Sequence, residues 1–266
     1  MSNGNKDSAS VVHEFYLQYH IRNNRPGLLG DLASLLGMLG FNIVQLNDLS
    51  EESRGFLLQT THPENVEVLR HILSCLEDVE LAGLRPPSLR DRMSLRHGRF
   101  IERSDTEART YRFVRDELGV LVDFLGEILK RPGHQVIGFR GQPRVGKTES
   151  IVASSVYANK RWTFISSTLL RQTILKDLPN EYWRGERFVY IIDGAVSTLR
   201  GGEQHMRLVE QVMAMPAPIV IEHPDIFVRH SRFGWNVFDL LIELRHQPDE
   251  QILYEEYERE AANWQE

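Results

Sequence analysis

The chain has 266 residues, of which 41% are hydrophobic and 26% are charged, and its formal net charge is −6. This balance is typical of a globular protein with one or two domains and gives no sign of a general nucleic-acid binder. The single cysteine, Cys75, excludes an internal disulfide framework and a metal site built from several thiolates. No apolar run is long enough to span a membrane, so we expect a cytoplasmic protein without a membrane partner.

The first part of the sequence predicts a small α/β domain over residues 11–86, after a polar, disordered lead over residues 1–10. The spacing of apolar residues predicts strands at Val12–Ile21, Phe41–Leu49, Gly55–Thr61 and Glu80–Leu84, and helices at Leu28–Leu39 and Glu64–Leu76. The resulting order, β-α-β-β-α-β, is that of the ferredoxin-like split unit.

Two segments of this domain resemble the signature of ACT domains. The loop before the first helix reads Asn24-Arg25-Pro26-Gly27, and the second strand opens with Gly40-Phe41-Asn42-Ile43. The resemblance covers residues 11–86 and implies side-by-side pairing into a homodimer. It also implies a small metabolite, often an amino acid, bound by Asn24, Arg25, Pro26, Gly27 and Asn42. Two alternatives stay open: these residues serve only the turn and the strand end, or the domain pairs without a ligand.

Residues 87–105 predict a basic linker, with arginines at Arg90, Arg92, Arg96, Arg99 and Arg103. One interpretation is an arm that reaches a phosphate, an acidic partner or the nucleotide of a neighbouring subunit. The other is a solvated linker that neutralises nearby acidic surface. Apolar residues at helical spacing then predict a long helix over Thr106–Lys130, which Pro132-Gly133 ends.

Residues 106–266 predict a second domain in which strands alternate with helices. The predicted strands are His134–Arg140, Trp162–Ser166, Phe188–Asp193 and Ile219–Glu222. The predicted helices are Lys147–Asn159, Leu169–Lys176, Glu203–Met215 and Trp235–Arg245, followed by an acidic helical tail. This alternation is typical of a three-layer fold with a mainly parallel sheet. We therefore expect an α/β protein with two domains.

The strongest local signal for function follows the strand His134–Arg140. It reads G-x-x-x-x-G-K-T and resembles the Walker A motif of P-loop nucleotide-binding proteins. The predicted nucleotide contacts are Gly141, Gln142, Pro143, Arg144, Val145, Gly146, Lys147, Thr148 and Glu149. The glycines allow successive N–H groups to turn toward a phosphate, and the next helix directs its positive dipole end at the same anion. Lys147 adds positive charge and Thr148 a hydroxyl for Mg²⁺, so the predicted cofactor is Mg-ATP.

A second motif supports the first. The apolar run Phe188–Asp193 resembles a Walker B strand, which would carry Asp193 to the carboxyl edge of the sheet and hold Mg²⁺ through water. We therefore predict Thr148 and Asp193 as the metal ligands. The alternative is a turn-forming aspartate, because Asp193-Gly194 is a common turn pair.

The two motifs predict nucleotide binding without specifying a reaction. ATPases commonly carry a glutamate after the Walker B aspartate, whereas Gly194 stands there, and the D-x-x-G and N-K-x-D patterns of GTPases are absent. Candidates for a catalytic role are Lys147, Glu222, Glu149 and Arg232. For Glu222 the alternative is an acid paired with a neighbouring base, for Glu149 a stabiliser of the helix N-terminus, and for Arg232 a surface cation.

Both parts together resemble the YmfK-type family of bacilli, and this resemblance implies no particular reaction. We expect a regulatory protein that binds Mg-ATP and couples that site to a metabolite signal at the ACT-like domain. The alternatives are an allosterically regulated phosphotransferase or slow ATPase, and an interaction protein with an idle nucleotide loop. The choice between ATP and GTP stays open, because base recognition comes from loops without a readable motif.

Overall fold

The structure is a computed structural model that describes residues 11–104, 109–166 and 185–252. The chain divides into two compact units, 1–100 and 101–266. The predicted lead at 1–10, the predicted helix Leu169–Lys176 and the acidic tail lie outside the described residues. Within the described ranges, no helix combines the length and the apolar character needed to cross a membrane.

The first unit is built on a four-stranded antiparallel sheet. Its elements are β1 (His13–Ile21), α1 (Leu28–Met38), β2 (Phe41–Ser50), β3 (Ser53–Thr60), α2 (Asn65–Ser74), β4 (Val79–Arg85) and α3 (Leu89–His97). The strands lie in the order β2-β3-β1-β4. Leu32 and Leu36 of α1 and Leu69 of α2 join the core that the sheet supplies, which explains why their helical spacing was readable. The predicted element order, β-α-β-β-α-β, is confirmed up to β4.

Helix α3 occupies the first half of the segment that the sequence predicts as a basic linker. Ser88 begins it with a capping box, in which the Ser88 hydroxyl accepts from the Asp91 N–H and the Asp91 carboxylate accepts from the Ser88 N–H. Leu95 is fully buried in a cluster with Tyr16 and Leu57. The guanidinium of Arg92 pairs with the carboxylate of Glu14. Residues 89–97 therefore belong to the first unit, because one buried leucine and a cap outweigh the polar composition of the segment.

The second unit contains a seven-stranded sheet. Its strands are β5 (Glu102–Arg103), β6 (Thr110–Val114), β7 (Gln135–Gly141), β8 (Arg161–Phe164), β9 (Phe188–Asp193), β10 (Pro218–Glu222) and β11 (Leu240–Arg245). The helices are α4 (Leu118–Leu129), α5 (Lys147–Tyr157), α6 (Glu203–Met213) and α7 (Pro224–His230). The strand order is β5-β6-β11-β7-β10-β9-β8, and all neighbours except β5 and β6 run parallel. The mainly parallel sheet is confirmed.

Two predicted helices of this unit are wrong over part of their length. Residues 110–114 form β6, so the predicted helix Thr106–Lys130 begins only at Leu118. Residues 240–245 form β11, whereas the sequence predicts a helix over Trp235–Arg245. These two segments pair with one another in parallel, and β11 also pairs with β7. An apolar run buried on both faces of a sheet has no alternation to distinguish it from a helix, so pairing decides the outcome.

The chain path places helices on both faces of this sheet. The connections β6-α4-β7 and β7-α5-β8 advance toward the β8 edge, whereas β9-α6-β10 and β10-α7-β11 advance toward the β5 edge. Right-handed crossovers then put α4 and α5 on one face and α6 and α7 on the other. Neighbouring strands β7 and β10 are therefore followed by helices on opposite faces, which opens a crevice between their carboxyl ends.

Candidate functional site

The crevice between β7 and β10 is bordered by a tight loop, residues 141–148, that joins β7 to α5. A Cβ on Gly141 would lie 2.6 Å from the carbonyl oxygen of Leu244, so only glycine fits. Gly146 precedes α5 with φ 110°, a conformation that favours glycine. Arg144, at the tip, also has a positive φ of 62°, and the guanidinium of Arg115 donates to its carbonyl oxygen at 2.8 Å. The loop is thus held in a costly conformation by contacts outside it.

Lys147 is folded back into this loop. Its side chain is buried, and its ammonium donates to the carbonyl oxygens of Gly141 and Gln142, both at 2.9 Å. Burial lowers the pKa of Lys147, while the nearby carboxylates of Glu222 and Asp193 oppose that shift. Lys147 is also the first residue of α5, at the positive end of the helix dipole. A buried cation at this position creates a strong preference for an anion.

Thr148 is joined directly to Glu222 across the crevice. The Thr148 hydroxyl donates to Oε1 of Glu222 at 2.7 Å. Glu222 is the last residue of β10 and is only 7% exposed, and this burial raises the pKa of its carboxyl group. The hydrogen bond from Thr148 acts in the opposite direction, and the Asp193 carboxylate raises the pKa further. This pair links two residues that the sequence analysis assigned to different roles.

Asp193 ends β9 and stands in register with Glu222. Burial raises the pKa of its carboxyl group, although backbone N–H groups of Val196 and Ala195 bind it. The Val196 N–H donates to Oδ1 at 2.9 Å. A Cβ on Gly194 would lie 2.7 Å from the carbonyl oxygen of Glu222, which explains why no glutamate follows Asp193. Asp193 and Thr148 thus flank Glu222 at one edge of the sheet.

His223 is a neighbour of this group that the sequence analysis missed. Its backbone has a positive φ of 55°, and its N–H donates to the carbonyl oxygen of Phe139 at 3.2 Å. Burial lowers the pKa of its imidazole to about 3, and the positive charge of Lys147 adds to this effect. His223 is therefore neutral at neutral pH. Its position directly after Glu222 at the end of a buried strand was the only available signal.

The other two predicted catalytic residues lie differently. Glu149 is exposed in the first turn of α5, and its charge acts on both Lys147 and Glu222. Arg232 follows α7, which leads away from Glu222, and its guanidinium pairs with Glu210 of α6 at 3.1 Å. The structure does not bring Arg232 to the crevice. A catalytic role for Arg232 was predicted because it follows a buried strand, but α7 carries the chain away from the sheet edge first.

The predicted metabolite site of the first unit is not assembled within one chain. The loop Asn24–Gly27 follows the end of β1, where Arg25 pairs with Asp31 and Asp78, both at 2.8 Å. Asn42 is the second residue of β2 and is in register with Gln59, which is in register with Glu14 near the start of β1. The two groups therefore lie at opposite ends of the sheet, about 20 Å apart along β1. A ligand cannot touch both in a single chain.

No group of three or more histidine, cysteine, aspartate or glutamate side chains within the described ranges is arranged to hold a metal ion. The oxygen atoms at the crevice come instead from a hydroxyl group and two carboxyl groups: Thr148, Asp193 and Glu222. Magnesium sites of nucleotide-binding proteins have this character, because the ion keeps several waters and takes further oxygens from the phosphates.

Comparison with known proteins gives a family. The family model described as "Protein of unknown function (DUF3388)" matches residues 81–266, which include α3 and the whole second unit. The chain is 53% identical over 245 residues to "Uncharacterized protein YmfK" of Bacillus subtilis (strain 168), covering 92% of this chain and 91% of that protein. The match to the crystal structure of a Rubisco-like protein from Rhodopseudomonas palustris covers 82% of this chain and 65% of that protein's chain. Its TM-score of 0.22 is too low to indicate a common fold. The chain belongs to the DUF3388 family and is of the YmfK type.

Proposed function

We propose that the second unit is a P-loop domain that binds Mg-ATP, and that its main role is regulatory. The observation that carries this proposal is Lys147, which is buried at a helix N-terminus and donates to carbonyl oxygens of its own loop. A cation is unfavourable at that end of a helix, whereas phosphate oxygens would satisfy both the ammonium and the helix dipole. The sequence G-x-x-x-x-G-K-T gives this arrangement the spacing of a phosphate loop.

In the proposed complex, Thr148 and Asp193 would hold the magnesium ion. Because the Thr148 hydroxyl donates its proton to Glu222, the lone pairs of its oxygen stay available to a cation. The carboxyl groups of Asp193 and Glu222 have raised pKa values, so a divalent cation would also stabilise their charged forms. Magnesium would supply neutralisation of phosphate charge at this edge.

A regulatory role is favoured over rapid hydrolysis by the absence of space after Asp193. Any side chain at position 194 would collide with the backbone of Glu222 and His223, so a water-orienting acid cannot stand there. The second candidate function, a phosphotransferase or slow ATPase, is favoured by Glu222 itself. A buried carboxyl group with a raised pKa can act as a general base within reach of the loop.

We also propose that the first unit is an ACT-like domain that senses a small metabolite and pairs with a second copy. The antiparallel order β2-β3-β1-β4 supports the fold. Since the loop Asn24–Gly27 and Asn42 lie at opposite ends of one sheet, a ligand that uses both needs two chains. Light scattering after gel filtration is expected to give twice the monomer mass of 30.8 kDa. A monomer at all concentrations would contradict this part of the proposal.

The nucleotide proposal is tested by thermal unfolding of wild type and Lys147→Ala, each with excess Mg-ATP or Mg-GTP. At a hundred times its dissociation constant, a ligand adds about 2.7 kcal/mol of stability, so wild type should unfold several degrees higher. The shift should be absent in Lys147→Ala and unchanged in Lys130→Ala, whose exposed ammonium pairs with Glu127. No shift of wild type with either nucleotide would contradict the proposal.

Turnover distinguishes the two candidate functions. Phosphate release from Mg-ATP should stay at the level of the Lys147→Ala variant if the protein is a regulator. Steady release that is lost in both Lys147→Ala and Glu222→Gln would favour the enzyme instead.

A further inference from the structure

A cavity of about 540 Å³ lies in the second unit, within the size range of small-molecule sites. Arg109, Arg140, Asp225, Trp235, Asn236 and Leu241 are among its lining residues, and we call it the Trp235 cavity. We propose that it binds a small, flat aromatic anion, stacked on Trp235 and paired with Arg109. This site is separate from the proposed nucleotide function and needs neither Lys147 nor magnesium.

Two lining residues of the Trp235 cavity, Phe238 and Leu241, lie against a glycine in a central strand. Gly138 lies in β7, where a Cβ would approach Leu241 to 2.4 Å and both Phe238 and Pro224 to 3.1 Å. Glycine in a strand interior often marks a close approach of a neighbouring group or a ligand. Here the missing Cβ makes room for the side chain of Leu241, which lines the cavity.

One wall of the cavity is formed by a charged side chain stacked on an aromatic ring. The guanidinium of Arg140 donates from Nε and Nη2 to the two carboxylate oxygens of Asp225, each at 3.0 Å. Its central carbon lies 5.0 Å from the ring centre of Trp235. Arg140 is only 8% exposed, yet Trp235, whose ring it contacts, is 44% exposed. A large aromatic ring held in place and left open to solvent is a surface on which a flat ligand can stack.

Arg109 supplies the charge that defines the ligand. Its backbone is held at φ 76°, which is costly for a residue with a side chain, while its carbonyl oxygen accepts the N–H of Leu241 at 2.9 Å. The carboxylate of Asp225 is already bound twice by Arg140, so the charged lining named above has one cation in excess. An anionic group on the ligand would pair with Arg109, and the Asn236 amide offers a further hydrogen bond.

The test uses three probes that separate shape from charge. Benzoate is flat and anionic, benzamide is flat and neutral, and cyclohexanecarboxylate is anionic without a flat ring. The readout is the indole N–H resonance of Trp235 in ¹⁵N-labelled protein, assigned by its loss in Trp235→Phe. Trp162 serves as an internal control, because it is 40% exposed on the strand β8.

Benzoate should shift the Trp235 resonance saturably in the millimolar range, roughly fivefold or more tightly than either other probe, and leave Trp162 unaffected. Arg109→Gly should raise the melting temperature, because it relieves the positive φ, and at the same time weaken benzoate binding. Lys147→Ala should bind benzoate like wild type. The proposal is overturned by no saturable shift, by equal binding of all three probes, by an equal shift at Trp162, or by unchanged affinity in Arg109→Gly.

Discussion

Helices α1 and α5 begin with the same backbone conformation, but the charged residues at their starts have different partners. Each is preceded by a left-handed glycine without a side-chain cap, Gly27 with φ 86° and Gly146 with φ 110°. Before α1, the exposed guanidinium of Arg25 pairs with two carboxylates. At the start of α5, the buried ammonium of Lys147 donates only to carbonyl oxygens among its hydrogen-bond partners in the described structure. The cation before α1 is therefore neutralised within the chain, whereas the cation at the start of α5 would be stabilised by an external anion.

The same contrast holds for the surrounding acids. Asp78, beside the loop before α1, has a pKa lowered by its hydrogen bond to Arg25. Asp193 and Glu222, beside the Lys147 loop, have pKa values raised by burial. Perturbed titratable groups collected in a crevice are a feature of functional sites. Asp193 and Glu222 therefore pay an electrostatic penalty for burial that Asp78 does not.

The largest expected effect is on the sheet edge that holds Asp193 and Glu222 in register. In Gly194→Ala the new methyl group would meet backbone oxygens at 2.7 and 2.8 Å, which cannot move as a side chain can. We expect a loss of about 3 kcal/mol in the free energy of unfolding, measured by denaturant titration. Gly119→Ala in α4 is the control, since its Cβ meets nothing within 4 Å, and it should add about 0.5–1 kcal/mol. A mild loss in Gly194→Ala would show that this edge is adaptable.

The pH dependence of stability should come from the buried carboxyl groups beside the Lys147 loop. Because burial raises the pKa of Glu222 above the ordinary value of 4.5, its contribution to stability is present below that pH and is lost as pH rises through the folded value. Glu222→Gln keeps an oxygen that can accept from Thr148 but cannot ionise. It should therefore unfold at a higher temperature than wild type at pH 7, with a smaller difference at pH 4.

Melting curves across this pH range provide the measurement, and Glu203→Gln provides the control. The Glu203 side chain is 92% exposed at the start of α6, so its neutralisation should change the curve only slightly and by the same amount at each pH above its own titration. A Glu222→Gln protein that is less stable than wild type at pH 7 would mean that the carboxylate is compensated in the folded state.

A smaller effect on the free energy of unfolding is expected at two residues other than glycine whose backbone is left-handed. Arg144→Gly should gain about 1 kcal/mol because glycine adopts the observed φ of 62° without strain. Asn159→Gly, with φ 54°, should gain less because asparagine tolerates this conformation. If the loop binds phosphate, only Arg144→Gly should weaken Mg-ATP binding in a calorimetric titration. Equal ATP affinity in both variants would mean that the Arg144 charge has no part in binding.

The sequence predicts the elements that depend on local signals. Loop 141–148, the strand ending at Asp193 and the strand ending at Glu222 could be located because glycine spacing and apolar runs are properties of neighbouring residues. The contact between Thr148 and Glu222 joins positions 74 residues apart, so only the sheet order reveals it. Arg115 had no sequence signal, and His223 had only its position after Glu222, because their roles depend on a single long-range hydrogen bond and on a positive φ.

The failed predictions have a common cause in tertiary context. β11 reads Leu-Leu-Ile-Glu-Leu-Arg, which fits a helix as well as a strand until its pairing with β6 and β7 is known. Helix α3 was hidden by its arginines, although the capping pair of Ser88 and Asp91 was a readable signal. In both cases the deciding contacts come from partners distant in sequence.

The smallest expected effect concerns Arg25 in the loop before α1. Arg25→Ala removes two ion pairs whose side chains are substantially exposed, so it should lower the melting temperature only slightly at low salt. In about 1 M salt the difference should shrink further, because the screening length falls to about 3 Å. Arg207→Ala, which removes an exposed pair with Glu203, should behave alike. A large, salt-independent loss in Arg25→Ala alone would mean that the loop Asn24–Gly27 stores interaction energy as the Lys147 loop does, and the contrast between the two loops would fail.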